Sequence, residues 1–324
     1  MDICCTFATS LDTPHHIAIA EQLGYKRAWC YDSPALYADV WMALALAAQR
    51  TSTIGLGPAV LIPSLRHVMT NAAAIATLEA LAPGRVNVAV GSGFTGRLAL
   101  GQRPLSWQRV RSYVLALKAL LRGEDVEWEG SLTRMLHSQG FAPPRPIDIP
   151  VLVGVSGPKG MAVAEEVADG IIGSTVSSQD VRGRFPRIAQ MINGTVLDAG
   201  ESPDSERAAD AAGHAAALIY HFAYENHRMD GLPRGGEYAA RLDAIPAASR
   251  HLALHEGHLV SMNALDREYV SSGFMAQAGR AADVDTWRAR LAQAERADAT
   301  ELIYQPAGPD IPRELRAFAA VAGL

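Results

Sequence analysis

The stretch from Thr53 to Phe94 constrains the fold more than any other part of the sequence. An apolar run at Thr53–Leu61, interrupted by glycine and proline, is followed by apolar residues at helical spacing over His67–Leu81. A second apolar run occupies Val86–Val90. Strands that are apolar on both faces are typical of a parallel sheet covered by helices. This stretch therefore predicts a strand–helix–strand unit of an α/β fold.

The same alternation continues along the chain. Eight apolar runs are predicted to be strands: Asp2–Ala8, Arg27–Tyr31, Thr53–Leu61, Val86–Val90, Val151–Val155, Gly170–Gly173, His214–Phe222 and Glu301–Gln305. A helix is predicted around Val181–Ala199, and Phe94–Arg97 is predicted to be a loop. Residues 223–280 do not alternate, so we expect an insertion before the last β/α unit. The pattern favours a (β/α)8 TIM barrel over an open doubly wound sheet, in a single domain over residues 1–324.

Composition excludes several functional classes. The net charge is −5 and no basic block is present, so we expect no nucleic-acid partner. No apolar run reaches the roughly 18 residues of a membrane span, and we expect neither a membrane partner nor a signal peptide. The chain has three cysteines, an odd number, and Cys4 is adjacent to Cys5 in a predicted strand. Buried thiols and a reducing cytoplasmic location are therefore predicted.

A glycine-rich turn provides the best candidate anion site. In TIM barrels the functional site lies at the carboxyl ends of the strands. The segment Ser156-Gly157-Pro158-Lys159-Gly160 follows a predicted strand and begins a predicted helix. Free amides and the helix dipole at such a position favour a phosphate group. We predict that Ser156, Gly157, Lys159 and Gly160 bind phosphate; a tight glycine turn with no ligand is the alternative.

Two charged residues lie at other strand ends. Asp32 follows the second predicted strand, where its carboxylate can hold a ligand N–H or transfer a proton. The alternative is a turn aspartate that bonds its own backbone. Arg97 follows the predicted loop and is a candidate for binding an anionic substrate or coenzyme group; a solvated arginine is the alternative.

Three histidines in the predicted insertion are spaced at four and three residues. On a helix this spacing places His251, His255 and His258 near one face, as metal ligands or proton carriers are placed. Gly257 weakens a helix here, and the neighbouring leucines are typical of packing. We predict no metal. His255 and His258 are candidate catalytic residues for proton transfer from a lid over the substrate, and packing histidines are the alternative.

Several sequence motifs resemble those of one superfamily. GLGPAVLIPSLRH, ATLEALAPGR, VNVAVGSG, VLVGVSGPKGMAVAEEVADGII and YQPAGPDIP are similar to segments of the bacterial-luciferase-like (β/α)8 flavin and deazaflavin oxidoreductases. The nearest resemblance is to methylenetetrahydromethanopterin reductases, which use coenzyme F420. The resemblance covers nearly the whole chain and is weak only at about 223–280.

The resemblance implies a coenzyme site. It implies a non-prolyl cis peptide at Ala59–Val60 that backs the coenzyme ring, and a phosphate at Ser156–Gly160. The residues that it places near the ring are Asp32, Ala59, Val60, Gly91, Ser92 and Gly93. It also implies a homodimer.

The resemblance also narrows the substrate. Sugar-phosphate dehydrogenases of the superfamily carry a histidine directly after the Asp32 position and a glutamate directly after the glycine-x-glycine. Here these positions hold Ser33 and Phe94, which argues against that activity. Phe94, Arg97 and Tyr224 are the candidate substrate residues, and the aromatic ones suggest an apolar or aromatic small molecule.

These observations lead to one leading function and two alternatives. The leading function is hydride transfer between reduced coenzyme F420 and a small organic substrate with a C=O, C=N or C=C bond. The first alternative is an FMN-dependent monooxygenase that uses dioxygen and reduced flavin. A separate flavin or F420 reductase is a possible partner. The second alternative is a non-catalytic flavin-binding protein.

Overall fold

A parallel eight-stranded sheet forms the centre of the molecule. The computed structural model describes residues 1–174, 181 and 183–324. The strands are β1 Asp2–Phe7, β2 Arg27–Cys30, β3 Gly55–Pro58, β4 Val88–Val90, β5 Val126–Trp128, β6 Ser131–Thr133, β7 Val151–Gly154, β8 Gly170–Gly173, β9 Ile188–Asn193, β10 Thr195–Val196, β11 Ala281–Ala282 and β12 Glu301–Gln305. The order in the large sheet is β3-β2-β1-β12-β9-β8-β7-β4.

The sheet closes between β3 and β4. Parallel bridges join Leu56 to Val86 and Leu61 to Val90 across this seam. The prediction of a (β/α)8 TIM barrel is therefore confirmed. The two short sheets outside the barrel are the β5–β6 and β10–β11 pairs.

Helices surround the barrel. In the described residues they are α1 Thr13–Gln22, α2 Val40–Ala48, α3 Val68–Leu81, α4 Phe94–Leu98, α5 Trp107–Arg122, α6 Pro158–Val167, α7 Glu206–Glu225, α8 Gly235–Asp243, α9 Arg250–Leu254, α10 Ala264–Tyr269, α11 Ser272–Gln277, α12 Val284–Arg296 and α13 Ile311–Ala322. The segment Phe94–Arg97, predicted to be a loop, thus lies entirely within α4. None of the described helices combines the length and the apolarity that a membrane span requires.

The seventh barrel strand was placed wrongly by the sequence. The predicted strand His214–Phe222 lies within helix α7, and the predicted helix Val181–Ala199 contains strands β9 and β10; residue 182 lies outside the described residues. A short apolar run does not distinguish a buried strand from a buried helix face. Here the flanking alanines, which favour helix, extend α7 to 20 residues, and Ser205 caps it by accepting from the Ala208 N–H.

This correction lengthens the predicted insertion. Residues 194–283 separate β9 from α12, and α7 to α11 lie within them. They pack around their own apolar cluster, which includes Tyr220, Tyr238 and Tyr269. The segment that follows α9 reaches back to the barrel, because Tyr37 Oη donates to the His258 carbonyl at 2.5 Å and Gln305 Nε2 donates to the Leu259 carbonyl at 2.8 Å.

Side chains of mixed size, from alanine to tryptophan, fill the interior of the barrel. The inward-facing cluster consists of Cys4, Trp29, Ala59, Ala89, Leu152, Ile172, Ala189 and Ile303. Partly buried Val60 and Met191 pack against it. All three cysteines are free and buried, as predicted.

Gly57 provides a test of how the barrel closes. A Cβ at this position would lie 1.8 Å from the Asn87 carbonyl oxygen, a backbone atom that cannot turn aside. We expect Gly57→Ala to lower the free energy of unfolding by about 3 kcal/mol or more. The matched control is Gly236→Ala in α8, where a Cβ would meet nothing within 4 Å. Urea denaturation of both variants measures the difference, and equal midpoints would contradict this account of the seam.

Candidate functional site

The residues just after β3 belong to the predicted coenzyme site. Val60, with Gly91 and Gly154 beside it, forms a surface there that we call the platform. The Ala59–Val60 peptide is cis, as the resemblance implied. A Cβ at Gly91 would lie 2.7 Å from Val60 Cγ2, and a Cβ at Gly154 would lie 2.9 Å from Val60 Cγ1. Both glycines therefore let the half-buried Val60 side chain settle between the ends of β4 and β7. The result is an apolar surface at the mouth of the barrel.

Gly93 leads directly from this platform into α4. It is the N-cap of α4 and has a φ of 78°, which favours glycine. A Cβ there would also lie 2.5 Å from Ile62 Cγ2. Ser92 is half-buried, and its carbonyl accepts from the Leu105 N–H at 2.9 Å. Binding of a coenzyme by Ala59, Val60 and these residues stays a prediction.

Asp32 is engaged by an arginine that the sequence analysis did not single out. Arg66 Nη1 donates to both carboxylate oxygens of Asp32, at 2.6 and 2.7 Å, and Arg66 Nη2 donates to Asp39 Oδ2 at 2.7 Å. Burial raises the pKa of Asp32, and Arg66 opposes that rise. The carboxylate is thus held in a buried ion pair, not free at a turn. Its predicted role in proton transfer or ligand binding stays a prediction.

The predicted anion site has the expected local structure. Strand β7 ends at Gly154 and helix α6 begins at Pro158, with Gly157 as an N-cap that has extended backbone and no side-chain capping bond. Ser156, Gly157 and Lys159 are exposed. Gly160 is buried under Trp107, because a Cβ there would lie 2.5 Å from the Trp107 ring. The first turn of α6 is therefore open to a ligand, and phosphate binding stays a prediction.

The histidines form a different group from the one that their spacing suggested. Helix α9 ends at Leu254, so His251 lies on it while His255 and His258 lie beyond it. The third member of the cluster is His221 on α7, whose Nδ1 lies 3.0 Å from His258 Nδ1. All three cluster rings are buried. The expectation that the histidines share one helical face is wrong, and the proton-transfer role of His255 and His258 stays a prediction.

A cleft of about 780 Å³ lies between α4 and the insertion. Among the residues that line it are Phe94, Arg103, Tyr224, Asp243, His251 and Leu254. Tyr224 Oη donates to Asp243 Oδ1 at 2.7 Å, and the rings of Phe94 and Phe222 are 5.8 Å apart. None of the predicted coenzyme residues lines this cleft.

Arg97, a candidate substrate residue, is instead engaged in hydrogen bonds within the protein. Its Nε donates to the Arg103 carbonyl at 2.6 Å, and its Nη1 donates to Ser64 Oγ. These bonds tie α4 to the neighbouring loops. Phe94 and Tyr224, in contrast, share the cleft.

Comparison with known families classifies the chain. Residues 12–204 match the family described as luciferase-like monooxygenase, and this match covers more than half of the sequence. The chain belongs to the luciferase-like monooxygenase family. The resemblance inferred from the sequence motifs is thereby confirmed.

Two relatives illustrate how similar this chain is in sequence to proteins of known name. The 5,10-methylenetetrahydromethanopterin reductase of Archaeoglobus fulgidus is 25% identical over 250 residues, which is 72% of either chain. The F420-dependent glucose-6-phosphate dehydrogenase of Microbacterium testaceum is 28% identical over 201 residues, which is 57% of this chain and 58% of the relative.

A solved structure extends the comparison to the fold of the full chain. The coenzyme F420 dependent tetrahydromethanopterin reductase from Methanopyrus kandleri superposes with a TM-score of 0.65 at 19% identity. The superposition covers 98% of each chain. This luciferase-like protein therefore shares the barrel and its overall layout with that enzyme.

The Asp32–Arg66 pair supports a prediction about stability. Arg66→Met leaves the buried Asp32 carboxylate without its partner, so we expect the free energy of unfolding to fall by about 3–5 kcal/mol. The double variant Arg66→Met/Asp32→Asn removes the unpaired charge and should recover part of that loss.

The control is Arg111→Met, which breaks the exposed ion pair with Glu166. We expect it to change stability by less than about 1 kcal/mol. Chemical denaturation of these three variants and of the unaltered protein provides the measurement. If Arg66→Met were no more harmful than Arg111→Met, the buried pair would have no structural importance.

Proposed function

We propose that this luciferase-like protein is an oxidoreductase that transfers hydride between reduced coenzyme F420 and a small organic substrate. F420 when bound would supply a hydride to the carbon of a C=O, C=N or C=C bond, and a proton delivered to the other atom of that bond would complete the reduction. The chain contributes binding and orientation, and it excludes solvent from the reacting atoms.

The platform at Val60 is the observation that carries the proposal. The half-buried Val60 side chain, set between Gly91 and Gly154, offers a flat apolar surface that suits one face of a planar ring. The open first turn of α6 suits the anionic tail of the same molecule, with the exposed Lys159 beside it. A planar ring with an anionic tail therefore fits the residues at this end of the barrel.

The names of several relatives support F420 as the proposed coenzyme. Two aligned relatives carry F420 in their names, and the Methanopyrus kandleri enzyme is described as coenzyme F420 dependent. The description of the family as monooxygenase supports the FMN-dependent alternative.

The substrate is proposed to be apolar or aromatic. Phe94, exposed by 39%, lines the cleft, and its ring lies 5.8 Å from the ring of Phe222. Ser33 is buried beside Gly96, where a Cβ would lie 2.9 Å from Ser33 Oγ. Ser33 and Phe94 occupy the two positions where the resemblance expects the histidine and the glutamate of sugar-phosphate dehydrogenases. Homodimerisation and a cytoplasmic location stay predictions.

A coenzyme titration tests the proposal. We expect purified protein to bind F420 at least about tenfold more tightly than FMN, in keeping with the names of its relatives, since an apolar platform and an anion site by themselves suit both coenzymes. Fluorescence titration with each coenzyme measures this ratio. Preference for FMN would favour the monooxygenase. Binding of F420 with no oxidation of the reduced form across aldehyde, imine and enone substrates would favour the non-catalytic protein.

Gly157 allows the tail site to be tested separately from folding. In Gly157→Asp, a carboxylate at the N-cap should stabilise α6 slightly while it repels an anionic tail. We therefore expect coenzyme affinity to fall by roughly tenfold or more with no loss of thermal stability. Gly157→Ala is the matched control, because a Cβ there meets nothing within 4 Å. Equal affinity in both variants would show that the tail binds elsewhere.

A further inference from the structure

The cluster of His221, His255 and His258 is built around its three Nδ1 atoms. His258 Nδ1 lies 3.0 Å from His221 Nδ1 and 3.3 Å from His255 Nδ1. One nitrogen from each ring falls within 4.8 Å of the other two. Each ring is exposed by only 3%. Three nitrogen atoms therefore converge on one buried point.

The outward nitrogen of each ring faces an oxygen. His221 Nε2 lies 3.0 Å from Asp266 Oδ1, His258 Nε2 lies 3.5 Å from Thr95 Oγ1, and His255 Nε2 lies 3.6 Å from Glu225 Oε1. With the ring hydrogen on Nε2 in all three histidines, a lone pair is left on every Nδ1. His221 Nε2 then donates to Asp266, whereas His255 Nε2 has no hydrogen-bond partner among the described residues. A carboxylate behind a ligating imidazole is the usual support of a metal site.

Asp266 is itself held in a fixed orientation. Its Oδ1 also accepts from Tyr238 Oη at 3.1 Å, and its Oδ2 accepts from the Asn263 N–H at 3.3 Å. Asn263 Oδ1 in turn accepts from the Asp266 N–H at 2.8 Å, which completes a capping box at the start of α10. The support behind His221 is thus preorganised and buried.

Three lone pairs at these separations repel one another unless a hydrogen or a cation lies between them. A hydrogen on His258 Nδ1 can be donated fully to His221 Nδ1 or to His255 Nδ1, but not to both at once. A bound cation satisfies all three Nδ1 atoms together.

We propose that His221, His255 and His258 bind one divalent transition metal ion through Nδ1, with Zn²⁺ as the favoured ion. Tetrahedral zinc with Zn–N bonds of 2.0–2.1 Å places its ligand nitrogens about 3.3 Å apart, which the separations of 3.0 and 3.3 Å from His258 Nδ1 approach. A ligand set of three imidazoles disfavours Ca²⁺ and Mg²⁺, which prefer oxygen. Three protein ligands leave a fourth position for water or a small ligand.

The proposed site joins two parts of the insertion, one of which is held against the barrel. His221 belongs to α7, whereas His255 and His258 belong to the segment that Tyr37 and Gln305 hold against the strand ends. The ion would cross-link two parts of the insertion directly above the barrel mouth. Because metal binding is coupled to the folded state, loading should raise the melting temperature. The inference is independent of which coenzyme the protein uses.

The test begins with protein whose affinity tag has been removed and whose metals have been extracted with a chelator. We expect one equivalent of Zn²⁺ per chain to rebind, with a rise in melting temperature. Co²⁺ in its place should give the visible absorption of a tetrahedral nitrogen site. These measurements need no variant, so they stand even if a substitution prevents folding. Failure of the unaltered chain to bind either ion at micromolar concentration would overturn the proposal.

Variants then identify the ligands. We expect His258→Gln to weaken Zn²⁺ binding by more than about a hundredfold, and Asp266→Asn to weaken it by about 10–100-fold through loss of support for His221. The control is His251→Gln, which removes the nearby histidine that the sequence spacing grouped with His255 and His258. Unchanged affinity in His258→Gln, or an equal loss in His251→Gln, would contradict the assignment.

Discussion

The close approach of two backbones at the β3–β4 seam is the constraint on which the rest of the structure depends. Gly57 passes so near the Asn87 carbonyl that no side chain fits between them. Two isolated bridges complete the barrel at this place. Val60 and Gly91 lie just beyond the ends of these two strands. The geometry that closes the barrel therefore also sets the apolar surface at its mouth.

Two groups of buried polar side chains, at Asp32 and at the histidine cluster, differ in how their hydrogen-bonding atoms are paired. Asp32 has a complete protein partner in Arg66, and the pair fixes the loop after β2 against the start of α3. The rings of the histidine cluster contact one another through their Nδ1 atoms, and their outer sides lie near Asp266, Glu225 and Thr95. The first arrangement is self-contained, whereas the second is the one in which we propose a bound cation.

Local patterns predicted most of the barrel, and the errors have a common cause. The glycines after β4 and the helix start at Pro158 were predicted because turns and helix N-termini have local chemistry. The run His214–Phe222 was misjudged because apolar residues alone do not distinguish a strand from a helix that is buried along most of one side. That error also placed His221 at a strand end, whereas it lies on α7 beside His258.

The sequence by itself determined the barrel class, the glycine positions that let β3, β4 and β7 converge, and membership of a family. Tertiary structure alone decided that Arg66 pairs with Asp32, 34 residues away, and that His221 joins His258, 37 residues away. Periodicity reports only which neighbours along the chain share a face. Contacts between separate elements depend on how those elements pack, and packing is decided by the whole fold at once.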